Sequence, residues 1–189
     1  MKVATVLLAM LWMTCGAIRA QEAPSPFEPG TWSLSLAGSY ITPIRFSEDE
    51  LATVDVGVGY YFAENNQINL ELQGYYSDDR EYLDGGGGDV WIGGIGLLGR
   101  WHFLARQNWS LFLDGGGSVL YANRAFPAEG TQFNLTGKVG LGASLRIGDD
   151  THLMGGARYF HLSNGQIRKS DDNPSYDGIQ VWVGILWMR

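Results

Sequence analysis

From residue 32 to the last residues, large apolar side chains alternate one-for-one with small, polar or charged ones. Trp32, Leu34, Leu36, Gly38 and Tyr40 share one parity, and Ser33, Ser35, Ala37 and Ser39 take the other. Val54, Val56, Val58, Tyr60 and Phe62 are set against Asp55, Gly57, Gly59 and Tyr61. The same beat runs through Ile68–Tyr76, Ile95–Phe103, Leu111–Tyr121 and Phe133–Ile147, then through stretches near 152–163 and 177–188. Successive side chains on a strand face opposite ways, so a period of two is the period of a half-buried strand. Eight strands are predicted. Short polar turns at 64–67, 105–108 and 148–151 alternate with longer connections at 42–51, 77–90, 122–131 and 164–176.

Which face turns inward decides the class. The minority face holds Asp55, Glu71, Arg100, Asp114, Lys138, Arg146 and Arg158 among glycines, with Phe112 and Leu120 as apolar exceptions. A soluble, lipocalin-like barrel would need large apolar residues on that side. Charges of both signs can instead pair inside a narrow barrel whose outer wall is apolar, with Trp, Tyr and Phe near strand ends as interfacial girdles. Closure also leaves no unpaired backbone edge, as lipid requires. The expected fold is therefore all-β: an eight-stranded antiparallel transmembrane β-barrel over residues 31–189. A helical membrane protein is excluded, because no segment after residue 20 offers a continuous apolar run of about 18 residues.

Ahead of the strands, Lys2 precedes an apolar run from Val3 to Met13, then small residues up to Ala20. This is the layout of a secretory signal peptide over residues 1–20. Residues 21–30, QEAPSPFEPG, carry three prolines and are expected to form a flexible lead-in. Cys15 is the only cysteine and falls in the leader, so disulfide and thiolate chemistry are excluded from the mature chain. Of the 13 Lys and Arg, Lys2 and Arg19 are lost with the leader; the remaining 11 face 20 Asp and Glu, a net charge near −9. Such a surface repels nucleic acid, and no basic aromatic patch offsets it.

One strand-like stretch breaks the apolar rule on the outer side. In RYFHLSNGQ, residues 158–166, His161 and Ser163 share the parity of Leu153 and Tyr159, opposite to Arg158. Residues two apart on a strand sit on one face, about 7 Å between α-carbons. If Arg158 points into the lumen, His161 and Ser163 point out, where an unpartnered polar group facing lipid costs a few kcal/mol. Asp177 has the parity of Ile179, Val181, Val183, Ile185 and Trp187 and begins the next strand. An acid, an imidazole and a hydroxyl on one hairpin fit nucleophilic acyl transfer: Asp177 orients His161, which takes the proton of Ser163. A solvated loop aspartate beside an interfacial histidine is the plain alternative.

His161-Leu162-Ser163-Asn164, followed after a loop by Asn173-Pro174-Ser175-Tyr176-Asp177 and a last apolar strand, resembles the lipid A 3-O-deacylases (PagL-type) of Gram-negative outer membranes. The specific similarity covers about the last 55 residues. The resemblance implies a barrel with its site on the outer wall, hydrolysing the ester that links a hydroxyacyl chain to the 3-position of lipid A. It implies Ser163 as nucleophile, His161 as base and Asp177 as acid, with Asn173 stabilising the oxyanion. Asn164 and Gly165 support that loop, and either Gly165 or Gln166 supplies a backbone donor. The acid is Asp where the family pattern has Glu, and the preceding loop is slightly longer. A rival alignment puts Gln180 in the acid's place. The implied partners are lipid A or lipopolysaccharide and the outer membrane itself, with a homodimer left open. No cofactor is implied.

Other signals are weaker. Asp171, Asn173, Ser175 and Asp177 alternate like calcium ligands but lack the central Gly and terminal Glu of a calcium loop. Gly85–Gly88 lacks the strand-then-helix context of a phosphate loop. His102 and His152 stand apart, with no metal-ligand spacing around either. Competing functions are a non-catalytic structural or adhesion-type barrel, and a phospholipase on the same scaffold.

Overall fold

A computed structural model describes residues 25–45, 49–78, 88–127, 130–167 and 175–189. The expected leader, residues 1–20, lies outside the described residues. Eight strands follow in chain order: β1 Trp32–Arg45, β2 Leu51–Ala63, β3 Asn66–Ser77, β4 Val90–Ala105, β5 Trp109–Phe126, β6 Thr131–Arg146, β7 Thr151–Ser163 and β8 Tyr176–Met188. Each pairs antiparallel with its neighbours, and β1 pairs with β8 to close the barrel.

The alternation read from sequence is the alternation of the two faces. Outward residues such as Leu72, Leu141 and Val181 are about 60 % exposed, whereas inward Asp55, Glu71, Asp114, Lys138 and Arg158 are buried. This inverts a soluble protein, and lipid is the solvent that makes it stable. Two strands run further than the alternation suggests. β1 continues through Pro43 to Arg45 across a register shift, and β5 continues to Phe126 beyond another. A bulge inserts one unpaired residue and shifts the parity, so the pattern is lost while the pairing persists.

The lumen is filled in three layers. At the short-turn end Phe27 is fully buried, its ring 3.8 Å from that of His102 and nearly parallel to it. Residues 25–30, part of the stretch expected to be a flexible lead-in, are docked here: Gly30 N–H donates to Tyr61 O (2.8 Å) and Asn65 N–H to Phe27 O (2.9 Å). His102 Nδ1 lies 2.7 Å from Ser110 Oγ, which lies 2.7 Å from Ser144 Oγ.

The middle layer pairs the expected charges. Lys138 Nζ donates to Glu71 (3.0 Å), Arg158 grips Asp114 with two N–H groups (2.9 and 2.7 Å), and Arg100 adds a third (3.1 Å). Phe112, an exception to the polar face, lies 4.4 Å beneath the Arg100 guanidinium, and Trp182 lies 4.3 Å from that of Arg158. Desolvated guanidinium groups gain from such ring faces. Arg146 does not join them. It lies at the short-turn end, where its guanidinium donates to the carbonyls of Gly148 (3.0 Å) and Asp149 (2.8 Å), because three residues past Ala143 the strand has reached the turn.

At the long-loop end an apolar cluster that includes Ile41, Leu120, Phe126, Phe160, Leu162 and Tyr176 occupies the lumen. Leu120, the second exception, belongs to it. Glycines let the inward side chains fit: a Cβ at Gly59 would stand 2.3 Å from the Asn69 side-chain oxygen.

Candidate active site on the outer wall

β7 carries two faces with separate tasks. Its inward residues Arg158, Phe160 and Leu162 are held by the charge layer and the apolar cluster. That fixes the twist of the strand, and Tyr159, His161 and Ser163 are thereby turned outward near the long-loop end. Cross-strand register then sets the partners: His161 stands directly opposite Asp177 on β8 and Gly137 on β6, and Ser163 opposite Leu135.

His161 Nδ1 is 2.8 Å from Asp177 Oδ1, and His161 Nε2 is 3.2 Å from Ser163 Oγ. A carboxylate can only accept, so Nδ1 carries the proton and Nε2 is left to accept the Ser163 O–H. Acid, imidazole and hydroxyl form one chain of hydrogen bonds on the outside of the barrel. The imidazole is 39 % exposed and the aspartate side chain 11 %. The histidine is thus open to the membrane while the charge that orients it is covered.

Gln180, the rival for the acid, points the other way. It is fully buried in the lumen, and its amide donates to Ser39 Oγ at 2.7 Å. Three positions separate it from Asp177, an odd number, so a strand must aim the two at opposite faces. Asn164, the residue after β7, is buried; its Oδ1 accepts the Gln166 N–H at 2.9 Å. Gly165 and Gln166 both adopt left-handed backbone, with φ of 64° and 60°. The Gln166 N–H is thus bonded to the Asn164 side chain. Asn173 lies outside the described residues, as does Asp171. Among the described residues no cluster of three or more His, Cys, Asp or Glu could hold a metal ion.

The sequence reading gave Tyr159 no task. Its hydroxyl donates to Asp177 Oδ1, the same oxygen that receives His161. Its parity with His161 was the available signal; the diagonal reach to β8 needed the register, Tyr159 being opposite Ile179. Gly137 was likewise passed over. A Cβ placed there would meet nothing within 4 Å, so the wall beside His161 is open on the side away from Asp177.

An apolar-walled, closed, eight-stranded barrel of this kind defines an outer-membrane β-barrel, and this one bears an acid–imidazole–hydroxyl chain on its outer wall. The family model for lipid A 3-O-deacylase (PagL) matches residues 52–185, well over half of the chain, and the chain belongs to that family. Comparison with curated protein sequences gives no match. Among solved structures the fold is similar to the outer-membrane enzyme PagL (TM-score 0.55, 12 % identity, covering 82 % of this chain and 98 % of that one). It is also similar to OprG from Pseudomonas aeruginosa (0.56, 13 %, 86 % and 97 %) and to the Neisserial surface protein NspA (0.56, 12 %, 83 % and 95 %). At such identities the structural likeness shows the fold alone.

Proposed function

We propose that this protein is an outer-membrane esterase that removes the 3-O-linked hydroxyacyl chain of lipid A, using Ser163 as nucleophile, His161 as general base and acid, and Asp177 as the orienting carboxylate. Family membership supports the substrate class. The observation that carries the mechanism is the unbroken chain from Asp177 Oδ1 through both nitrogens of His161 to Ser163 Oγ.

The chemistry follows from those atoms. Ser163 Oγ attacks the ester carbonyl as its proton passes to His161 Nε2, and Asp177 stabilises the imidazolium across Nδ1. The Gly165 N–H, and Asn173 by family resemblance, receive the developing oxyanion. Collapse expels the sugar oxygen, which takes the proton from Nε2, and the acyl group remains on Ser163. Water then enters from the headgroup side and attacks the acyl carbon as its proton passes to Nε2; collapse breaks the bond to Ser163 Oγ, which takes that proton back, and releases the hydroxy fatty acid. Because the scissile ester lies at the headgroup–acyl boundary, a site on the outer wall near the long-loop end meets it without extracting the lipid.

The test is mass spectrometry of lipid A from cells expressing wild type or Ser163→Ala. Wild type is expected to lower lipid A by the mass of one hydroxyacyl chain, and Ser163→Ala to leave it intact. Equal masses overturn the esterase; fatty acid released from phospholipid with lipid A unchanged makes the protein a phospholipase instead.

A further inference from the structure

We infer that Tyr159 is a positioning residue for the acid of this site, holding the Asp177 carboxylate against His161 through its hydroxyl. The inference rests on the hydrolase reading above. A carboxylate at the membrane boundary has two problems: its second torsion is broad, so one hydrogen bond leaves it free to turn, and its charge is poorly solvated beside lipid. Tyr159 answers both. Its O–H and the His161 Nδ1–H converge on the same Oδ1, from residues two apart on β7, while Asp177 itself comes from β8. Two donors fixed on one strand set where that oxygen can sit. A second donor matters most for an aspartate, whose short arm must be met where it stands.

Tyr159 touches no reacting atom in this account; it acts through Asp177. Tyr159→Phe keeps the ring and removes only the donor. With an ester substrate and detergent-solubilised barrel, its kcat is expected to fall between about 10- and 100-fold, the range for losing a hydrogen bond to a charged group, with KM little changed. The low-field proton resonance of His161 Nδ1–H shifts, because the Asp177 oxygen that accepts it has lost its other donor. In an Asp177→Asn background, Tyr159→Phe is expected to cost nothing more. A Tyr159→Phe protein with kcat within twofold of wild type and an unmoved His161 Nδ1–H resonance overturns the inference, as does a full additional loss in the Asp177→Asn background. The proton resonance, recorded in Ser163→Ala, reads the Tyr159–Asp177–His161 contact without turnover. Ser163→Ala retaining full activity would therefore sink the hydrolase reading, while an unchanged resonance would sink this one.

Discussion

Asp177→Asn tests the acid in isolation, because it keeps the shape of the side chain and removes its charge. Asp177 Oδ1 sits 2.8 Å from His161 Nδ1. In the transition state the imidazole becomes cationic, so the lost quantity is the attraction of two unit charges whose centres are about 4 Å apart. With an effective dielectric of about 20, suited to pairs near a protein surface, that attraction is about 4 kcal/mol. The imidazole is 39 % exposed, and screening there reduces the figure to about 2–4 kcal/mol, or about 30- to 1,000-fold in rate. The amide can also turn its NH2 toward Nδ1 and favour the wrong tautomer; in serine proteases the same change costs about 10⁴ in kcat. The expected kcat of Asp177→Asn is thus about 10²- to 10⁴-fold below wild type, measured as fatty acid release from purified lipid A in mixed micelles. Gln180→Ala serves as the comparison, since Gln180 faces the lumen and its loss should leave kcat within a few-fold. Asp177→Asn activity within twofold of wild type, beside an inactive Ser163→Ala, would refute the assignment of the acid. A large loss in Gln180→Ala alone would move it to the rival position.

Two further outcomes follow from particular contacts. Gly137→Trp fills the open wall beside His161, where a Cβ meets nothing within 4 Å; it should fold normally yet lower activity on long-chain esters more than on short-chain ones, read as the ratio of kcat/KM across chain lengths. Asp114→Ala strips the shared partner of Arg100 and Arg158; two buried guanidinium groups left unpaired should cost about 3–5 kcal/mol in urea unfolding of the folded barrel.

The barrel was legible because lipid and lumen impose opposite demands on adjacent residues, and those demands repeat with period two. The polarity of Asp55, Glu71, Asp114, Lys138 and Arg158 even specified which face was inner, since charges of both signs gain only where they meet. Sites where parity is broken were less legible. Arg146 carries lumenal parity but sits at a turn, and parity carries no information about height along the axis. Phe27 lay in a proline-rich stretch with no period at all, yet it caps the lumen through stacking on His102, a contact made across the closed barrel. At the site, His161, Ser163 and Asp177 were visible as polar residues on an apolar face. Tyr159 was not, because a tyrosine near a strand end is an ordinary girdle residue until the register brings Asp177 within its reach.

The same alternation that made the fold legible ties the site to the barrel's interior. On β7 every residue that reaches the lipid face is flanked by one locked in the lumen: Arg158 by two hydrogen bonds to Asp114, Phe160 and Leu162 by the apolar cluster. A loop-borne triad would need its own supporting shell. Here the supporting shell is the barrel core itself, one residue away through the backbone in each direction. Strand β8 is held in like manner: Gly178 is so closely packed that a Cβ would lie 2.7 Å from Ile41 and 2.9 Å from the Thr42 carbonyl, and Tyr176 donates to the Asp49 carbonyl at 2.9 Å. The backbone at Asp177 thus lies between two closely packed neighbours, directly opposite His161. A site facing a fluid bilayer cannot borrow order from its surroundings, and in this chain the order comes from the other side of the wall.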